Sequence, residues 1–147
     1  MDEAAAANDC LIDRIEGLLV EFDIDPRAAR MMSDIDAYYE FRYGETDVEI
    51  RIGGVDREQS VEFSFSVCTL PNEIAFKALG LCQDDIASSG LAIEARLDES
   101  ADVSERHLKL ISRFSATDDR DLSTTMLYGL DMALSHRHEI RTRLLRF

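Results

Sequence analysis

Three histidines, three cysteines and an acidic loop are the side chains of this 147-residue chain best suited to hold a metal or move a proton. His136 and His138 lie in the terminal stretch SHRHEIRTRLLRF, two residues apart. On a helix that spacing sets them about 200° apart around the axis, so they cannot chelate one ion as an i, i+4 pair can. His107 stands just before a strand with no evident partner, and all three histidines read as surface residues. Cys10, Cys68 and Cys82 are odd in number, widely spaced and free of any C-x-x-C, which argues against a disulfide framework or a zinc site. The loop DESADVSER has the acidity of a calcium loop, but Val103 stands where an EF-hand needs glycine. Asp84 and Asp85 are adjacent on a helix and point in different directions. Ser123-Thr124-Thr125 has no His or Lys at a suggestive spacing and reads as helix initiation.

The longer motifs of chemistry are missing as well. No G-x-S-x-G, H-E-x-x-H, Walker loop or G-x-G-x-x-G occurs. Gly53-Gly54 falls between two antiparallel strands and opens no helix, so it lacks the geometry of a phosphate cradle. The expectation is a protein that is not an enzyme, with no catalytic residue, no metal and no cofactor. A small-ligand or enzyme site between sheet and helix is the weaker alternative. Glu40, Arg42, Glu49 and Arg51, on adjacent strands, are better explained as cross-strand ion pairs.

Charge narrows the class of partner. Thirty Asp and Glu against 16 Lys and Arg give a formal net charge of −14 and a pI near 4.5. Nucleic acid and anionic membranes both need a cationic surface, so neither is expected as a partner; the acidity fits a soluble protein that resists self-association, or one with a basic or polar partner. The terminal arginines read as cations that offset a helix dipole, at about 0.3–1 kcal/mol each. The start, MDEAAAANDC, lacks the basic region and apolar core of a signal peptide, and no apolar run approaches membrane-spanning length, so no membrane insertion is expected. The cytoplasm is the expected compartment.

The elements that must carry these side chains can be read from hydrophobic period. Leu11, Ile15, Leu18, Leu19 and Phe22 recur at helical spacing up to Pro26, and DPRAARMM offers one further helical turn with Pro26 at its start. The period then becomes two. Ile35, Ala37, Tyr39, Phe41 and Tyr43 share one face, with Tyr38 an aromatic on the polar face. Val48, Ile50 and Ile52 follow, then Val61, Phe63, Phe65 and Val67. Ile74, Ala75, Ala78, Leu79, Cys82 and Ile86 mark a second helix despite Gly80. Leu91, Ile93, Ala95 and Leu97 make a strand, and Leu108, Leu110, Ser112 and Phe114 another. Leu122, Met126, Leu130, Ala133, Leu134, Ile140 and Leu144 form the stripe of a last helix, which acids from Asp118 to Asp121 introduce. Leu145 and Phe147 do not fit that stripe; they are either tucked against the sheet or exposed for a partner. The sum is one α+β domain over residues 1–147, a five-stranded antiparallel sheet with three helices in the order α-β-β-β-α-β-β-α.

That order, the length and the acidity resemble the class I type III secretion chaperones, the Tir-chaperone family. The stretches that carry the likeness are LIDRIEGLLVEF, AYYEFRY, VEIRI, VEFSFSV, PNEIAFKALGL, LAIEARL, HLKLISRF and DLSTTMLYGLDMAL. The resemblance implies a cytoplasmic homodimer that binds the N-terminal segment of a secreted effector protein in extended form and keeps it secretion-competent. It places effector binding on the first helix and first three strands, with Ile12, Leu18, Phe22, Tyr38 and Phe63 as candidates. It places the dimer interface on the middle helix and the strand after it, with Ala78, Leu79, Leu81 and Ile93 as candidates. Gly80 and the aspartate pair make this middle helix shorter than the family's. YbjN-like bacterial regulators share the layout, and imply instead a regulatory or adaptor protein without a secretion role.

Overall fold

Alternation of apolar and polar residues becomes strand wherever it runs for five residues or more. In the computed structural model, which describes residues 3–31, 37–53, 60–89, 93–115 and 121–144, the chain forms α1 (Glu3–Glu21), α2 (Pro26–Ala29), β1 (Arg30–Met31), β2 (Ala37–Tyr43), β3 (Thr46–Gly53), β4 (Ser60–Pro71), α3 (Asn72–Ser89), β5 (Glu94–Glu99), β6 (Glu105–Ser115) and α4 (Leu122–Arg143). The strands make one sheet in the order β1-β2-β3-β4-β6-β5, with every neighbouring pair antiparallel. The α+β class holds, but the described residues give six strands and four helices rather than five and three. The two extra elements are too short to show a period. Asp25 caps α2 by accepting from the Arg27 N–H at 3.0 Å, with Pro26 in the first turn. The chain then leaves extended, and Arg30 and Met31 pair with Tyr39 and Tyr38.

One face of the sheet is apolar and carries the helices. Val48, Ile50 and Ile52 of β3, Val61, Phe63 and Phe65 of β4, and Leu108 and Leu110 of β6 point into a core closed by Leu11, Ile15, Leu18 and Leu19 of α1. Ala75, Ala78, Cys82 and Ile86 of α3 and Leu122, Met126, Leu130, Ala133 and Ile140 of α4 complete it. Each large aliphatic or aromatic side chain so buried stabilises the fold by about 1.5–3 kcal/mol. Leu134, expected on the buried stripe, is instead 45% exposed. The other face of the sheet is polar.

Two irregularities fix how α4 sits on the sheet. β4 and β6 pair Ser66 with Lys109 and then Cys68 with Leu108, leaving Val67 as the extra residue of a bulge. Its carbonyls are met by Arg137 of α4, a buried side chain whose Nε donates to Val67 O at 2.7 Å and whose Nη2 donates to Ser66 O at 3.1 Å. The second is close approach: a Cβ on Gly129 would run into the Phe65 ring, so α4 lies directly on β4 because position 129 has no side chain. The terminal stretch is therefore more than a helix end. His136 and Arg137 are both buried, whereas Arg141 and Arg143 occupy the last turn as the dipole argument expects. Leu145 and Phe147 lie outside the described residues. Among those described, no helix is long and apolar enough to cross a membrane.

Candidate partner-binding surface

β1 is only two residues long, so it pairs with Tyr38 and Tyr39 and no further. Among the described residues, Glu40–Tyr43 of β2 are paired on the β3 side alone. Such an edge leaves backbone N–H and C=O groups without ladder partners, although α2 packs against β2 beside it. An aromatic pair stands beside it: the Phe22 ring meets Tyr43 edge-on, with centroids 5.4 Å apart and planes at 83°. Phe22 lies just past the end of α1, where Asp23 turns to φ 60° and Ile24 N–H returns to Leu19 O at 2.8 Å. Tyr43 is 40% exposed. Val20, on the last turn of α1, and Met31, on β1, are further exposed apolar side chains of the elements that adjoin this edge.

The polar face of the same strands forms an open groove of about 580 Å³. Carboxylates dominate it: Glu40, Asp47, Glu49, Asp98 and Glu99 face His107 and Lys109. Lys109 is already engaged, 3.3 Å from Asp98, which also accepts from Arg96 Nε at 2.8 Å. Glu40 and Glu49 stand directly opposite one another across β2 and β3, an arrangement of like charges that costs stability unless something intervenes. The Tyr38 hydroxyl does so, lying 2.6 Å from a carboxylate oxygen of each and sharing its proton between them. Burial, and then those two bonds, push its phenol far above the usual tyrosine range. Arg51 covers the ring, its guanidinium carbon 5.0 Å from the centroid. The expected ion pairs among Glu40, Arg42, Glu49 and Arg51 are thus replaced: Arg42 reaches Asp47 at 3.8 Å, and the two glutamates share a tyrosine.

His107 also has partners that its sequence neighbourhood conceals. Its Nε2 meets the Ser66 hydroxyl and its Nδ1 the Thr69 hydroxyl at 2.8 Å, both across the β4–β6 ladder. Burial, helped by Lys109, lowers its pKa below the usual 6.5, which keeps the ring neutral and able to accept from one hydroxyl while donating to the other. The acidic loop after β5 holds itself together: Asp102 Oδ1 accepts from Ser104 N–H at 2.9 Å and from its hydroxyl at 2.7 Å.

The candidates named from the sequence scatter. Leu18 and Phe63 are closed in the core, and Ile12 is half-buried against it. Phe22 is brought to the β2 edge, while Tyr38 is half-buried on the opposite, polar face of that strand. Of the interface candidates, Ala78 is fully buried within the chain, Leu79 and Ile93 are half-buried against the core, and Leu81 is half-buried. Phe76, on α3 and 63% exposed, offers a far larger apolar surface on that helix. The sequence set Tyr43 on one face of its strand and did not single out Phe76, because apolar pattern says which residues could be buried, not which ones a neighbouring element leaves open.

No known protein family and no curated protein sequence matches the chain. Solved structures do. YbjN from E. coli, to which a role as transcription regulator has been ascribed, aligns over 89% of this chain and 91% of its own, with a TM-score of 0.54 and 14% identity. ExsC in the ExsC–ExsE complex aligns over 98% and 97%, with a TM-score of 0.51 and 16% identity. This chain shares the fold of these structures, a type III secretion chaperone-like fold.

Proposed function

We propose that this protein is a chaperone that binds the extended N-terminal segment of a secreted effector protein and keeps it secretion-competent. The observation that carries this reading is the Phe22–Tyr43 pair beside the unpaired stretch of β2. An extended segment adding to Glu40–Tyr43 gains main-chain hydrogen bonds, and its alternate side chains meet the aromatic pair on one face. On the other face it meets the acidic groove past Tyr38, which favours a segment with basic or polar residues there. Neither step needs a nucleotide or a catalytic group. The likeness to ExsC, solved with ExsE, supports the same reading. In this proposal the protein is cytoplasmic and acts as a homodimer. The second copy is joined through α3, with exposed Phe76 and half-buried Leu79 and Leu81, and through β5, which ends the sheet.

The second reading, a YbjN-like regulatory or adaptor protein without a secretion role, is favoured by the near-complete overlap with YbjN. Co-expression with the neighbouring open reading frame, co-purification and mass measurement separate the two. The chaperone reading expects a dimer that retains an effector, and retention weakened by Tyr43→Ser in a chain that stays folded. A strict monomer that retains no protein partner would sink it.

A further inference from the structure

His136 is a buried polar side chain to which the chaperone reading gives no role. It lies on the buried face of α4, 4% exposed. Its Nδ1 points between two carboxylates, Asp85 Oδ2 of α3 at 3.6 Å and Glu139 Oε2, one turn further along α4, at 3.9 Å. An imidazolium paired with carboxylates closes to about 2.7–2.9 Å. Both separations exceed that range. They lie instead near the roughly 3.4 Å between two ligands of one tetrahedral zinc ion, given Zn–N and Zn–O lengths of about 2.0–2.2 Å. The three ligand atoms fall within 4.8 Å of one another. Glu139 is held in place from behind, because its other oxygen is 3.1 Å from Arg143 Nη1, which leaves Oε2 to face His136. Asp85 is half exposed, so the site opens to water on one side.

We propose that Asp85, His136 and Glu139 bind one Zn²⁺ ion that joins α3 to α4. Nothing in the chaperone reading requires such a site. One nitrogen and two oxygens make a borderline ligand set that zinc accepts, and the open side leaves a fourth position for water. The ion draws the three side chains together and ties the C-terminal half of α3 to the C-terminal half of α4. It also gives a buried imidazole and two facing carboxylates a shared charge to neutralise. Cys82 lies one turn before Asp85 and is buried, but its sulfur does not fall within the cluster of ligand atoms formed by Asp85, His136 and Glu139.

The test is zinc titration of the full chain by calorimetry, with thermal melting in the presence and absence of the metal. The expected result is one zinc bound per chain and a melting temperature raised by zinc. Asp85→Asn and Glu139→Gln should each weaken binding about tenfold or more and abolish the thermal shift. Asp85 is half exposed, so its variant keeps the test sound if His136→Gln fails to fold. His138→Ala and Cys82→Ser should bind as the parent does. Zinc binding unchanged in Asp85→Asn and Glu139→Gln, loss of binding in Cys82→Ser alone, or no binding by the parent overturns the proposal.

Discussion

Tyr38 and Tyr39 are adjacent in sequence and opposite in circumstance. The first holds two carboxylates apart with one proton; the second is fully buried, and its hydroxyl, near the Glu16 carboxylate, makes no well-formed hydrogen bond among the described residues. Removing the hydroxyl should therefore act in opposite directions. Tyr38→Phe leaves Glu40 and Glu49 facing each other without a donor and should lower stability by about 1 kcal/mol in urea denaturation. Tyr39→Phe removes an unsatisfied buried group and should leave stability unchanged or raise it by up to about 1 kcal/mol. His107 adds a prediction in pH. Its folded pKa lies below 6.5, so just below that pH the unfolded chain takes up a proton that the folded chain refuses. Stability therefore falls as pH drops through this window, and His107→Asn should flatten that part of the stability–pH curve relative to the parent. A curve of unchanged slope would show that His107 is not shielded as described.

At the scale of elements, two helical glycines, Gly129 and Gly80, should behave differently. Gly129→Ala forces a methyl into the Phe65 ring and should cost about 1–3 kcal/mol, with the ring or all of α4 displaced. Gly80→Ala meets nothing and stiffens the middle of α3, so it should gain about 0.5–1 kcal/mol. Denaturant midpoints of the two variants check both signs. Long elements were legible because their periods were: the burial of Leu11, Ile15, Leu18 and Leu19, and of Leu108, Leu110 and Phe114, follows directly from spacing. What escaped had a physical reason in each case. β1 is set by two ladder pairs, too little chain for a pattern, whereas Pro26 did announce the turn that forms α2. Val67 continues the alternation of Val61, Phe63 and Phe65 into the core as its spacing says, but the bulge there, which no alternation announces, shifts the pairing from Cys68 onward. His136 and Arg137 did carry a signal, for they sit one turn after Ala133 and one turn before Ile140, on the buried phase of α4. Polarity outweighed position in reading them.

At the scale of the whole molecule, one face of the sheet is spent on the core and the other is left polar and acidic. The β2 edge lies where they meet, and that division is what the proposed client contact uses. A net charge of −14 makes any contact with a basic segment sensitive to salt, since exposed charges are screened within about 8–10 Å at physiological ionic strength. Effector retention that rests on the acidic groove should fall as salt rises, whereas retention that rests on Phe22 and Tyr43 should persist. Washing the co-purified complex at increasing salt separates the two contributions. The candidate residues of this surface were only partly legible, because Phe22 and Tyr43 meet through a turn after α1 whose direction no periodicity records.

The inserted residue of β4 and the arginine that answers it, 70 positions later, also make a statement about inheritance. Neither half is tolerable alone. Without Val67 the ladder becomes regular and strands a buried guanidinium; without Arg137 the bulge keeps its carbonyls and loses their donors. The two positions should therefore be epistatic. Arg137→Met should cost roughly 2–4 kcal/mol in the parent chain and markedly less in one lacking Val67, and a double-mutant cycle measures the difference. In descent from a common ancestor, such a pair is expected to be gained, kept or discarded as a unit.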